Sequence, residues 1–158
     1  KSKIVLSSTR KQIKKRFGKV KIYKDGFRVS LALHRGKSGQ VKPIVQEKPW
    51  GAEVWLIFTR RYASKILILE KGKRFSLQKH RVKEESWLVF RGRALVTIND
   101  EQFKVSEGAM IHVGRNTIHR LEALSNLLEV LEVSSPELHD AVRLADDYRR
   151  TSKKYNPK

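Results

Sequence analysis

Residues 72–92 read GKRFSLQKHRVKEESWLVFRG, which sets Gln78, His80 and Glu85 on two short segments bracketed by the turn glycines Gly72 and Gly92. Side chains at i and i+2 of a strand share a face, so Gln78 and His80 point the same way. Glu85, beyond a short turn, can return to the same pocket from the next strand. His119, thirty-four residues further on, must come from elsewhere in the fold. Gln78, His80, Glu85 and His119 thus form a candidate ligand set for one divalent metal. Nitrogen and oxygen donors without thiolate suit zinc, manganese, iron, cobalt or nickel.

The spacing Gly72-x5-Gln78-x-His80-x4-Glu85-x6-Gly92 resembles the first motif of the cupin superfamily, in the variant with glutamine for the first histidine. A second motif runs from Gly108 through Gly114 to Asn116-Thr117-Ile118-His119. More narrowly, Lys48-Pro49-Trp50-Gly51, Ser76-Leu77-Gln78-Lys79-His80, Glu85-Ser86-Trp87, Thr117 to Glu122, Leu128 to Val133 and Asp140 to Tyr148 look like the cupin domain of type II mannose-6-phosphate isomerases. The resemblance covers roughly residues 47–150. It implies an all-β jelly roll, a double-stranded β-helix barrel, with a bound metal (zinc foremost) and a phosphorylated sugar as substrate.

Two departures lie near the expected chemistry. The family usually carries a run of histidines where this chain has His80-Arg81-Val82, and a proline and glycine where it has Gly114 and Asn116. Glycine and asparagine both tolerate positive φ and can make that turn. Arg81 and Val82 either alter the sugar accepted or mark a site that binds without turnover.

Aldose–ketose interconversion moves a proton between C1 and C2 through an enediol. It needs an electrophile at the carbonyl oxygen, a base near the carbon and a cation for phosphate. Metal serves the first need. The resemblance makes Arg120, beside His119, and Lys65 the anion or hydroxyl contacts. Glu85, Glu53 or a hydroxide on the metal is the base. The alternative is a non-catalytic metal-binding cupin that takes a carbohydrate or sugar nucleotide, since one scaffold carries many functions. If the chain is the isomerase half of a bifunctional protein, residues 1–48 hold no Gly-rich phosphate loop of the other half.

The 158 residues suffice for one sizeable core. The absence of cysteine excludes disulfides and thiolate metal sites. With no long apolar run for a membrane span or signal peptide, a cytoplasmic protein is expected. Opening on Lys1, the chain reads as a trimmed piece of something longer. Its net charge of +19 is uneven: residues 1–48 hold fifteen Lys and Arg against Asp25 and Glu47, whereas residues 49–150 hold seventeen against fourteen acids. The excess lies in the N-terminal segment and reads as a solvated basic face, with nucleic acid a less favoured partner.

These signals divide the chain into a basic extension (1–46), a barrel (47–134) and a C-terminal segment (135–158). In the extension, Ser8 or Thr9 caps a short basic helix over 10–17 that stops at Gly18, and residues 19–23 and 27–33 make a hairpin. The hairpin needs a sheet edge to pair with, in the same chain or a twofold partner, and a homodimer is expected. Strands are expected near 53–58, 65–70, 75–79, 86–91, 94–99, 102–105, 109–113, 118–123 and 128–133. Ser135-Pro136-Glu137 reads as the start of a C-terminal helix. Trp50, Trp55 and Trp87 are expected as core or pocket-wall aromatics.

Overall fold

The computed structural model describes residues 5–23 and 38–150. Among them the chain forms one helix, α1 (Val5–Phe17), and twelve strands. In order these are β1 (Lys21–Tyr23), β2 (Ile44–Lys48), β3 (Gly51–Phe58), β4 (Ala63–Glu70), β5 (Leu77–His80), β6 (Glu85–Arg91), β7 (Arg93–Ile98), β8 (Glu101–Ser106), β9 (Met110–Val113), β10 (His119–Ala123), β11 (Leu127–Ser134) and β12 (Ala141–Ala145). They make a sheet of order β1-β2-β3-β4-β11-β6-β9 facing one of order β12-β5-β10-β7-β8. This is the expected jelly roll, and all nine expected barrel strands are present.

Alternation assigns the faces. Inward-facing Leu67, Leu69, Val89, Leu128 and Val130 of the larger sheet meet Ala94, Val96, Leu121 and Ala123 of the smaller one in a single apolar cluster. The same inner face turns polar toward the other end of the strands. There, opposed Lys65 and Glu132 lie one inward position beyond opposed Leu67 and Val130. The barrel therefore has a dry end and a charged end. Phe75 divides them, edge-on to Trp50, Trp87 and His119 with ring centroids 6.3, 5.9 and 6.2 Å apart.

Outside the larger sheet lies α1. Ile13 packs on Val45, Ala52, Val54 and Ile68, and Arg16 reaches the buried carboxylate of Glu129 at 2.8 Å. The helix starts a turn earlier than expected. Thr9 is no cap, because its buried hydroxyl is drawn to the sheet and donates to Glu70 Oε1 at 2.8 Å. Gly18, at φ 68°, ends the helix as expected. Of the expected hairpin, β1 pairs parallel with β2 at the sheet edge; residues 27–33 lie outside the described residues.

The expected C-terminal helix is not formed, and its residues supply strand β12 instead. β5 would otherwise present an open edge, which β12 closes in the register Ala141↔His80, Val142↔Lys79 and Arg143↔Gln78. Just before β12, the Asp140 carboxylate accepts the backbone N–H groups of Val82 and Lys83 at 2.7 and 2.8 Å. The local Ser-Pro-Glu signal loses to these long-range bonds.

Gly51 is the tightest backbone position in the barrel. It sits at φ 146°, and a Cβ there would lie 1.9 Å from the Ile68 carbonyl oxygen. Gly108, at φ 88°, has open space around it. Gly51→Ala is therefore expected to cost several-fold more stability than Gly108→Ala, roughly 3 kcal/mol or more against about 1. Urea denaturation of the two variants checks this, and equal midpoints would contradict it.

Candidate metal centre

Sheet register brings the four expected ligands together. On β5, Gln78 stands directly opposite His119 of β10, with His80 two residues along on the same face. Glu85 opens β6 in the facing sheet. The turn before His119 is anchored by Asn116, which adopts φ 58° and donates its N–H to the His80 carbonyl at 2.6 Å. Asn116, and not Gly114, thus takes the positive φ, and it ties the second motif to the first.

The contacts have the dimensions of a coordination shell. His119 Nε2 is 3.2 Å from Glu85 Oε1 and His80 Nε2 is 3.6 Å from Glu85 Oε2. Gln78 Nε2 is 3.4 Å from His119 Nε2. Four ligands at about 2.1 Å around a tetrahedral ion lie ~3.4 Å apart, which these separations bracket. The donors of His80, Glu85 and His119 all fall within 4.8 Å of one another.

His119 Nδ1 lies 2.9 Å from the Thr117 carbonyl, so a proton there leaves Nε2 as the lone pair facing Glu85. Both ring nitrogens of His80 are buried without a hydrogen-bond partner. Such an orphaned ring is costly unless something binds it. Ser76 Oγ contacts Gln78 Oε1 at 2.8 Å. With the amide turned over, that hydroxyl accepts from the NH2 group and the amide oxygen faces the histidines. The residues present fit a divalent ion.

Lys83, which carries no signal in the sequence to set it apart from other cations, is buried beside these residues. Its ammonium lies between Glu85 Oε2 and Glu132 Oε1, the latter at 2.6 Å. From Glu132 the charges continue to Lys65 (3.4 Å), Glu53 (3.2 Å) and Lys48 (3.4 Å). Burial pushes the Lys83 ammonium down, but the two carboxylates outweigh it and raise it. Burial would raise Glu85, yet Lys83 and the histidines hold it well below the usual carboxylate range. Glu53 is likewise held at about 2, with Lys48 and Lys65 overcoming its burial. Because Lys83 has Glu132 as a second acceptor, it keeps a carboxylate partner when Glu85 turns to a metal.

These groups line a cavity of about 550 Å³, together with Trp50, Trp55, Phe75, His139, Arg143 and Arg150. Lys65 belongs to it, as expected, with its ammonium 4.8 Å from the centre of the Trp55 ring. Trp87 is buried 5.6 Å from His119. Arg120 is a correction. Adjacent to His119 on β10, it points to the opposite face of the sheet, where its guanidinium donates to the Ala145 carbonyl at 3.1 Å. Arg81 and Val82 also lie outside the cavity, Val82 being 49% exposed. Among the described residues no helix is long and apolar enough to cross a membrane.

Comparison with known proteins places this geometry. The family described as "Mannose-6-phosphate isomerase C-terminal" matches residues 32–147. The xanthan biosynthesis protein XanB of Xanthomonas campestris is 30% identical over 77% of this chain and 30% of its own length. The mannose-1-phosphate guanylyltransferase ManC of Salmonella typhimurium is 34% identical over 65% of this chain and 22% of its own. The chain thus spans less than a third of either relative. Among solved structures, an RmlC-like cupin from Shewanella frigidimarina superposes with a TM-score of 0.58 at 16% identity, covering 66% of this chain and 94% of that one.

Two outcomes are expected. Protein purified without chelator should carry one divalent ion, and His80→Ala or His119→Ala should lose it; elemental analysis finding none even after reconstitution would refute this. In metal-free protein, burial lowers His80 to about 4, with Lys83 and His119 opposing its charge and Glu85 only partly compensating. Between about 6.5 and 4 the unfolded chain therefore binds the extra proton. Stability should be complete above pH ~6.5 and fall by roughly 3 kcal/mol as pH drops toward 4. Denaturation across pH should show this slope reduced in His80→Gln, and equal slopes would contradict it.

Proposed function

The chain belongs to the mannose-6-phosphate isomerase C-terminal family, and from that premise we propose that its cavity carries out metal-assisted aldose–ketose isomerisation of a sugar phosphate, foremost mannose 6-phosphate and fructose 6-phosphate. One observation carries the reading. His80, whose ring nitrogens have no hydrogen-bond partner, and Glu85 line a roughly 550 Å³ cavity beside fully buried His119, and the same cavity holds a buried acid–base pair, Lys83 and Glu132. That volume lies within the range of about 300–1,000 Å³ typical of small-molecule sites.

A bound divalent ion, held by Gln78, His80, Glu85 and His119, supplies a Lewis acid for the sugar oxygens. The chain's own residues supply the proton chemistry. The base must be able to take a proton near neutral pH. Glu53, held at about 2 by its lysines, is too weak, and Glu85, a ligand of the ion in this reading, is held well below the usual carboxylate range by Lys83 and the histidines. Glu132 remains, lifted by burial and by the charge of Glu85. In this reading Glu132 takes the proton from one sugar carbon and returns it to the other. Lys83, hydrogen-bonded to it, gives a proton to the carbonyl oxygen and recovers one from the neighbouring hydroxyl as that oxygen becomes the new carbonyl. Trp50, Trp55 and Phe75 bound the cavity and exclude water from the enediol.

Binding without turnover, of a carbohydrate or sugar nucleotide, is the second reading. It draws on the mannose-1-phosphate guanylyltransferase relative, whose name joins a sugar phosphate to a guanylyl group. Metal-loaded protein should interconvert mannose 6-phosphate and fructose 6-phosphate, and chelation should abolish this. Glu132→Gln should lower kcat by about 100-fold or more with metal content unchanged. A metal-replete protein inactive on these sugars, yet raised in Tm by a sugar phosphate or nucleotide sugar, would transfer the assignment to the binding reading.

A further inference from the structure

We infer that Arg143 and Arg150, with Lys48, form a built oxyanion subsite in the cavity that holds the phosphate of the substrate. The sugar part of this statement rests on the isomerase reading, whereas the anion part does not. Register places the first residue. Arg143 of β12 stands directly opposite Gln78 of β5, and Gln78 opposite His119 of β10, so all three lie in one row on the cavity face. The guanidinium is therefore beside the metal-ligand row, across the sheet from His119.

The second residue is held in advance. Arg150 is clamped to Asp146, with Nη2 2.5 Å from Oδ1 and Nε 3.0 Å from Oδ2, while its backbone N–H donates to Oδ2 at 2.7 Å. Its guanidinium also lies 5.3 Å from the centre of the Tyr148 ring. With its Nε and Nη2 edge held by Asp146, the guanidinium presents its Nη1 side to an anion and loses little further freedom on binding it. Lys48, at the end of β2, lines the same cavity.

These cations are crowded. Burial lowers Arg143, and the positive charge of Arg150 lowers it further; the carboxylates acting on it are Asp146 and Glu53. Asp146 already serves Arg150, and Glu53 serves Lys48 and Lys65. Burial likewise lowers Lys48, with Lys65 and Arg150 adding to the effect and Glu53 opposing it. Arg143, Arg150, Lys48 and Lys65 thus repel one another along a partly desolvated cavity wall. A phosphate dianion relieves their mutual repulsion and accepts charge-assisted hydrogen bonds from the two guanidinium groups. The subsite also fills the role that Arg120, on the far face of the sheet, cannot.

Calorimetry of the full chain with inorganic phosphate, mannose 6-phosphate and mannose tests the subsite, using wild type, Arg143→Ala, Arg143→Lys and Arg150→Ala. Lys104→Ala, on the exposed strand β8, is the control, and near-UV circular dichroism checks folding. Both phosphates should bind wild type and the control. Affinity should fall about tenfold or more in Arg143→Ala and Arg150→Ala, less in Arg143→Lys, with mannose affinity and metal content unchanged. A nucleoside diphosphate outcompeting phosphate with the same arginine dependence would support the subsite and assign its anion to a sugar nucleotide. Loss of phosphate binding in folded variants of a protein without turnover would sustain the subsite and remove the isomerase. Turnover with an unchanged KM in Arg143→Ala and Arg150→Ala, or no phosphate binding by wild type, would overturn the subsite.

Discussion

Lys83, buried between Glu85 and Glu132, is the interaction on which the charged end of the barrel depends. Three carboxylates, Glu53, Glu85 and Glu132, face inward from the larger sheet, and no jelly roll could close over them unpaired. Lys48, Lys65 and Lys83 alternate with them, so the relay is neutral as a whole. Relays of this kind are seldom the most stable way to fill a core, because desolvation of each ion offsets much of the attraction. Apolar residues of similar volume would pack the space as well. Retaining six charged groups there is consistent with a cavity that works on a polar ligand.

The rest of the barrel supports that end. The apolar cluster of Leu67, Leu69, Val89, Leu121, Leu128 and Val130 joins the two sheets, and the aromatic group around Phe75 forms a rigid layer beneath His119. Gly51 lets β3 approach β4 closely enough for Trp50 to enter this layer. On the outside, α1 covers Ile68 and neutralises Glu129 through Arg16. The basic extension is thus partly structural. Its cations Lys11, Lys14 and Lys15 remain exposed, while Ile13 and Thr9 are buried against the sheet.

The departures from the family pattern at Arg81 and Val82 acquire a different weight once placed. Neither lines the cavity, because the turn carrying them is held from outside by Asp140. The residue of that turn that does enter the cavity is Lys83. In the sequence of this loop the missing histidines stand out, whereas the burial of Lys83 depends on the fold. A lysine two residues before a ligand glutamate looks in sequence like any other surface cation, in a chain that has many.

From the sequence alone came the nine central strands, because alternation and turn signals are local properties, and the jelly roll through the resemblance of the glycine-bracketed motifs. The i, i+2 spacing put Gln78 and His80 on one face as part of a candidate ligand set with Glu85 and His119. Tertiary structure decided what depends on pairing between distant segments. Residues 141–145 became a strand because β5 offered an open edge, overriding a local helix signal. Arg120 turned away from the cavity and Arg143 into it because sheet register, and not proximity in the chain to a ligand, fixes which face a side chain occupies. Glu132 and Lys83 met as a buried pair although forty-nine residues apart, a contact that only the closing of one sheet over the other could make.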